Sequence, residues 1–250
     1  MRILLTNDDG IMAEGIYALA KELEKEHEVI IIAPEFQSSA QSHAVTLLHP
    51  LTVKEVKLDG LKSKAYSISG TPADCVRAGL EVLIKEPVDY VFSGINMGLN
   101  SGMDILYSGT VSAAIEANMY GIPSLAVSSE LLNGSVNLDV ATQYAKEIFD
   151  KVKVKLRNTK IVLNINVPHR KKEEIKGIKV CKVGGVVYDY YIVEEGENKE
   201  KVIKLNGRKN AEPDDDTDRY YLKEGYVTVT PLHYDLTDFK LMEEVKGWIK

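Results

Sequence analysis

The chain has 250 residues, of which 44% are apolar and 27% are charged. This is the composition of an ordinary globular protein with one large domain, or with one domain and an appendage. The formal net charge of −6 argues against a protein whose main function is to bind nucleic acid, so we expect no stable nucleic-acid partner.

Cysteine content and hydropathy indicate the compartment. The chain has only two cysteines, Cys75 and Cys181, which provide no disulfide framework. No apolar run approaches the roughly 20 residues that a membrane-spanning helix needs. Because Met1 leads directly into a predicted strand, there is no room for a signal peptide. We therefore expect a cytoplasmic protein without a membrane partner.

The first predicted strand is followed at once by an acidic turn. Residues 3–5 form a short apolar run typical of a buried parallel strand, and Asn7, Asp8 and Asp9 come directly after it. A helical pattern over 14–25 then places the turn at the carboxyl end of a strand, where open α/β sheets bind ligands. Two adjacent carboxylates are costly to bury without a cation, so a divalent metal is predicted. A solvated acidic turn is the alternative.

The chain then alternates between strand and helix patterns. This alternation predicts an α/β fold with a mainly parallel sheet covered on both faces. Residues 51–57 and 64–69 alternate apolar and polar side chains, as expected of a more exposed pair of strands. The polar segment 35–48 is a loop that is expected to line the site. Further strands are predicted at 29–33, 88–93, 122–128 and 161–167, and helices at 72–85, 111–117 and 136–151.

The pattern changes after about residue 170. Residues 177–193 and 201–205, joined by a polar turn at 194–199, predict a long hairpin. Such a hairpin has little of its own to bury, so we expect it to pack against a partner subunit or to exchange with one. A last strand is predicted at 226–230 and a terminal helix at 237–249. The acidic cluster 214–218 lacks the spacing of a calcium loop, and we interpret it as a solvated turn or as a carboxylate paired with Arg or Lys.

Three strand ends supply candidate metal ligands. Asp8 and Asp9 follow the first strand, Ser39 follows the strand at 29–33, and Asn96 follows the strand at 88–93. All four offer hard oxygen donors, and no cluster of His or Cys suggests zinc. Mg²⁺ or Mn²⁺ is therefore expected, with Ca²⁺ as a further candidate.

A helix start at Ser108, Gly109 and Thr110 offers free backbone N–H groups and two hydroxyls, which suit an anion. Ordinary capping explains the same residues. Beside a metal, this helix start indicates a phosphate site and hydrolysis of a phosphomonoester. Asp8 is an alternative group for orienting the nucleophile or taking its proton, and His43 is a candidate for protonating the leaving group.

The opening motif resembles that of the SurE (survival protein E) family of 5′/3′-nucleotidases. The similarity continues in the same order over nearly the whole chain. The matching segments are 3–10, 33–34 with Ser39, 69–76, 93–98, 107–111 and 225–232.

The resemblance implies a metal-dependent phosphatase that acts on nucleoside 5′- and 3′-monophosphates. It also implies a Rossmann-like three-layer sandwich over 1–175, and an extension over 176–250 in the same folding unit that forms homodimers or homotetramers. One divalent ion per subunit is expected on Asp8, Asp9, Ser39 and Asn96. The expected catalytic residues are Asp8, Asp9 and Asn96, and the expected substrate contacts are Asn7, Ser39, Asn96, Ser108, Gly109 and Thr110.

The chain departs from the family pattern in the second loop. The family often carries Arg and Gly around the serine, whereas Gln37, Ser38, Ser39 and Ala40 stand here. Ser38 is therefore a competing ligand to Ser39. A non-catalytic module that binds nucleotides is the alternative function.

Overall fold

The structure is a computed structural model that describes residues 1–157, 159–197, 200–209 and 212–249. Strands and helices alternate through the first two thirds of the chain. They are β1 (Arg2–Thr6), α1 (Glu14–Leu23), β2 (Glu28–Pro34), β3 (Val53–Val56), β4 (Lys64–Ile68), α2 (Pro72–Ala78), β5 (Tyr90–Met97), α3 (Gly109–Met119), β6 (Ser124–Ser129), α4 (Leu138–Leu156) and β7 (Val162–Val167). The remaining elements are β8 (Ile178–Val180), β9 (Asp189–Glu195), β10 (Lys201–Arg208), α5 (Asp218–Glu224), β11 (Val227–Leu232) and α6 (Phe239–Trp248).

The central feature is a nine-stranded sheet with the strand order β3-β4-β2-β1-β5-β6-β7-β11-β8. The six strands from β4 to β7 in that order run parallel. At the edges, β3 is antiparallel to β4, and β11 is antiparallel to β7. The prediction of a mainly parallel sheet is confirmed. The predicted edge pair is present as β3 and β4, but only β3 is exposed, because β4 also pairs with β2 and is largely buried. The carboxyl ends of β1, β2 and β5 therefore meet at one edge.

Helices cover both faces of the sheet, as the apolar strand runs require. Leu4 packs into a cluster with residues of α2 and α3, while its neighbours Ile3 and Leu5 pack with residues of α1 and α4 on the opposite face. Alternate residues of one strand point to opposite faces, so a continuous apolar run needs cover on both. The three-layer sandwich expected from the resemblance is confirmed.

The C-terminal third differs from the sequence prediction. Residues 177–193 do not form one strand, because β8 joins the main sheet beside β11 and only β9 pairs with β10. The hairpin is thus shorter than predicted and forms a separate two-stranded sheet. Of its predicted turn, Asn198 and Lys199 lie outside the described residues. Strands β8 and β11 extend the sheet of the body, although both follow residue 175.

The second half of one strand and one whole helix were not predicted. Strand β5 continues through Gly94–Met97, which looked like a glycine-rich loop, because Asn96 and Met97 pair with Ser128 and Ser129 of β6. Helix α5 begins at Asp218, which we had interpreted as part of a solvated turn or as a carboxylate paired with Arg or Lys. Its carboxylate is instead fully buried and accepts hydrogen bonds from backbone N–H groups, with no described ion pair to an Arg or Lys side chain, so that prediction was wrong for this residue. Within the described ranges, no helix is both long and apolar enough to cross a membrane.

Candidate active site

Asp8 lies buried at the carboxyl end of β1, with only 3% of the residue exposed. The hydroxyl of Thr110 donates a hydrogen bond of 2.5 Å to Oδ1 of Asp8. Burial raises the pKa of Asp8, the hydrogen bond from Thr110 lowers it and the charge of Asp9 raises it, and the net result is a pKa of about 6. Because the net pKa is raised, the desolvation penalty of the carboxylate is larger than the stabilisation that the hydrogen bond from Thr110 provides. A cation bound next to Asp8 would therefore be favourable.

Asp9 connects the acidic turn to the end of β5. Its Oδ2 accepts a hydrogen bond of 3.1 Å from the backbone N–H of Met97, next to Asn96. Burial raises the pKa of Asp9, although the hydrogen bonds from Met97 and Gln37 counteract part of the shift. The Asn96 side chain donates to the carbonyl of Gly98 at 2.7 Å, and no described residue donates to its amide oxygen. That oxygen can therefore serve as a ligand.

The loop after β2 distinguishes Ser38 from Ser39. The backbone N–H of Ser38 donates to the carbonyl of Asp8 at 2.7 Å, and its hydroxyl donates to the carbonyl of Phe36 at 3.3 Å. Ser39 is exposed, and its hydroxyl oxygen accepts a bond of 3.1 Å from the amide of Gln37. The Ser38 hydroxyl thus has a backbone partner, and Ser39 presents the more accessible oxygen.

Gln37 is a site residue that the sequence did not reveal. Its amide donates to Ser39 at 3.1 Å, and it lies near enough to Asp9 to lower the pKa of that carboxyl, so it links the second strand end to the acidic turn. The only signal in the sequence was its position two residues before Ser39.

Asn7 holds the shape of the turn. Its amide donates to the carbonyl of Gly10 at 2.9 Å and accepts from the N–H of Gly10 at 3.2 Å. Gly10 has a φ of 100°, a left-handed conformation that favours glycine. The described contacts of Asn7 are therefore with the turn rather than with an open surface.

The start of α3 lies against Asp8. A methyl group at Gly109 would lie 2.9 Å from Cβ of Asp8, so only glycine allows this approach. The hydroxyl of Ser108 accepts from the N–H of Val111 at 3.0 Å and caps the helix. The backbone N–H and the hydroxyl of Thr110 both face Asp8. Capping and proximity to the acidic turn are thus combined in the same three residues.

His43 is held by helix α3, through a glutamate that also pairs with helix α2. Its Nε2 lies 2.6 Å from Oε2 of the buried Glu116 on α3, and Nε of Arg77 on α2 lies 3.8 Å from the other oxygen of Glu116. Further along the loop, Thr46 donates a 2.6 Å hydrogen bond to Asp74 of α2. These contacts fasten the loop that carries Ser39 to the first turn of α2 and to the last turn of α3.

The donor set fits a hard divalent cation. The described residues contain no group of three or more His, Cys, Asp or Glu side chains that could hold a metal ion. A cation here would therefore rely on Asp8 and Asp9 together with neutral oxygens from Ser39 and Asn96. Oxygen-only sets with incomplete protein ligation suit Mg²⁺, Mn²⁺ or Ca²⁺ better than zinc.

Comparison with known proteins identifies the family. The family model for survival protein SurE matches residues 3–189. The chain belongs to the SurE family. It is 51% identical over 251 residues to the 5′-nucleotidase SurE of Clostridium tetani (strain Massachusetts / E88), covering 99% of this chain and 100% of that one. It is 52% identical over 248 residues to the 5′-nucleotidase SurE of Clostridium botulinum (strain 657 / Type Ba4), covering 98% of each.

A solved structure of a SurE-family protein has the same fold over its whole length. The crystal structure of the SurE protein from Aquifex aeolicus matches with a TM-score of 0.87 and 34% sequence identity, covering 100% of both chains. The nine-stranded sheet and its helices therefore belong to the family architecture.

Proposed function

We propose that this protein is a metal-dependent phosphatase that hydrolyses nucleoside 5′- and 3′-monophosphates to nucleoside and phosphate. The relatives named 5′-nucleotidase SurE, at 51% and 52% identity, support a nucleotidase. The observation that supports metal dependence is that Asp8 is buried next to Asp9 and packs against the start of α3. Nucleoside monophosphates bring a phosphate of a size and charge that such a site accepts.

Asp8, Asp9, Ser39 and Asn96 would hold one divalent ion per subunit, Mg²⁺ or Mn²⁺, with Ca²⁺ as a third candidate. When bound, such an ion polarises phosphoryl oxygens and lowers the pKa of a coordinated water. The protein's own residues position the substrate. The N–H groups at the start of α3 and the dipole of that helix stabilise negative charge on the phosphate.

The reaction forms a bond from a water oxygen to phosphorus and breaks the bond from phosphorus to the ribose oxygen. Asp8 is placed to orient that water or to take its proton, because the hydrogen bond from Thr110 fixes its carboxylate. The departing ribose oxygen takes up a proton, so nucleoside and inorganic phosphate are released.

Phosphate release tests this proposal against a module that binds nucleotides without turnover. Purified protein is incubated with a panel of 5′- and 3′-monophosphates, first in EDTA and then with excess Mg²⁺ or Mn²⁺. We expect no release in EDTA and release after metal addition. A folded protein that binds the nucleotides but releases no phosphate with any of these metals would support the binding module instead.

Exposed apolar surface in the C-terminal part of the chain supports a second copy of this chain as the partner. The hairpin β9–β10 is exposed along both strands, with Val193, Ile203 and Leu205 more than half exposed, and no described residue of α6 is buried. Covering this surface with a second copy would remove it from water, so we expect a homodimer or homotetramer. Light scattering coupled to size-exclusion chromatography measures the state directly, and a monomer at micromolar concentration would refute it.

A further inference from the structure

A cavity of about 310 Å³ lies next to the acidic turn. Its lining includes Phe36, Ser38, Gln41, Ile68 and Ser69. Because the N–H of Ser38 donates to the backbone carbonyl of Asp8 at 2.7 Å, the cavity lies beside the candidate metal centre. A ligand with its phosphate at Asp8 would therefore have the cavity beside it.

Phe36 gives this cavity an aromatic rim. Its side chain is 76% exposed, whereas Phe92 and Phe149 are fully buried in the core. Its backbone is fixed close to the turn, since a methyl group at Gly10 would lie 3.4 Å from the Phe36 carbonyl carbon. The cavity also reaches Ile68, which is fully buried. An exposed ring on a fixed backbone beside a phosphate site is suited to stacking with a planar base.

Most polar groups on the lining already have partners. The hydroxyl of Thr71 donates to the carbonyl of Ala44 and accepts from the N–H of Asp74, and the hydroxyl of Thr46 donates to Asp74. Gln41 is exposed, and within the described residues its amide has no hydrogen bond. An amide offers both a donor and an acceptor, which matches the edge of a nucleobase.

The geometry points to this cavity as the nucleobase subsite, with the base stacked on Phe36, its edge facing Gln41, and the phosphate at Asp8. This assignment rests on the proposed function for the position of the phosphate. Every nucleobase has a π-face, so Phe36 would favour nucleotides over phosphosugars without selecting one base. Gln41 would supply the preference among bases.

The test compares adenosine 5′-monophosphate with ribose 5-phosphate, which has the same phosphate and sugar but no base. The readout is the ratio of kcat/KM for the two substrates. In Phe36→Ala we expect this ratio to fall about tenfold, the scale of one lost base–aromatic stack. Phe36→Trp keeps an aromatic face and should hold the ratio within about twofold of the wild-type value. Leu48→Ala, which truncates an 89% exposed side chain of the same loop outside the cavity lining, should also leave it unchanged.

An unchanged ratio in Phe36→Ala, or an equal loss on both substrates, would overturn the base subsite. Adenosine binding separates this failure from failure of the proposed function, because adenosine has no phosphate to release. If wild-type protein releases no phosphate from either substrate but binds adenosine about tenfold more tightly than Phe36→Ala, the phosphatase proposal fails and the subsite stands. Equal adenosine binding by the two proteins would refute the subsite whatever the turnover.

Discussion

Replacing Asp8 by Asn should stabilise the metal-free protein, because it removes a buried charge. Burial raises the pKa of this carboxyl from 3.8 to about 6. A shift of about two units corresponds to about 3 kcal/mol of unfavourable free energy at pH 7. Asn can still accept the hydrogen bond from Thr110, but its NH₂ group gains no described acceptor, at a cost of about 1 kcal/mol. The net expectation is about 2 kcal/mol in favour of the variant.

The pH dependence follows from the direction of the shift. Between about pH 4 and pH 6 the folded protein retains a proton on Asp8 that the unfolded chain has released. As the pH rises from 4 to 6, the free energy of unfolding of the wild type should therefore fall relative to that of Asp8→Asn. The variant should be about 2 kcal/mol more stable at pH 7 and about 0.5 kcal/mol less stable at pH 4.

Urea denaturation in EDTA across this pH range measures the difference. Asp59→Asn is the matched control, since Asp59 is exposed and the variant should show no comparable pH-dependent difference. Added Mg²⁺ should stabilise the wild type and have little effect on Asp8→Asn, because binding to the folded state alone raises stability. A variant that is less stable than wild type at pH 7 in EDTA would refute the picture of an uncompensated carboxylate at this turn.

Two further variants test the loop after β2. Ser39→Ala should raise the Mn²⁺ concentration needed for half-maximal activity about tenfold. Ser38→Ala should change this concentration less than twofold, because the Ser38 hydroxyl already donates to a backbone carbonyl. A larger effect of Ser38→Ala than of Ser39→Ala would make Ser38 the ligand. His43→Gln should lower kcat less than tenfold, because Nε2 of His43 is held by Glu116 and general acid catalysis typically contributes about a hundredfold or more. A hundredfold loss of kcat would assign leaving-group protonation to His43.

The start of the chain could be predicted because its signals are local. The apolar run of β1 ends abruptly at Asp8 and Asp9, and the small residues after Ser108 begin a helix that must pack closely. Each of these features is encoded within about ten consecutive residues. Their convergence at one sheet edge follows from the parallel topology, which the alternation of strand and helix patterns had already indicated.

The remaining features depend on contacts between distant segments. Asp218 accepts hydrogen bonds from the backbone N–H groups of Gly102, Gly184 and its neighbour Arg219, so two distant parts of the chain help to bury it. No local spacing distinguishes such a carboxylate from a solvated one. The same holds for the glycine-rich end of β5, which is a strand only because β6 pairs with it.

The most direct test of the account measures Mn²⁺ binding and phosphate release on the same sample of wild-type protein. Electron paramagnetic resonance follows free Mn²⁺ while the rate of phosphate release from a nucleoside 5′-monophosphate is recorded at each concentration. The account predicts one ion per subunit and half-saturation of binding and of rate at the same Mn²⁺ concentration. Full activity in EDTA, or activity that rises without stoichiometric binding, would contradict a catalytic metal at Asp8 and Asp9.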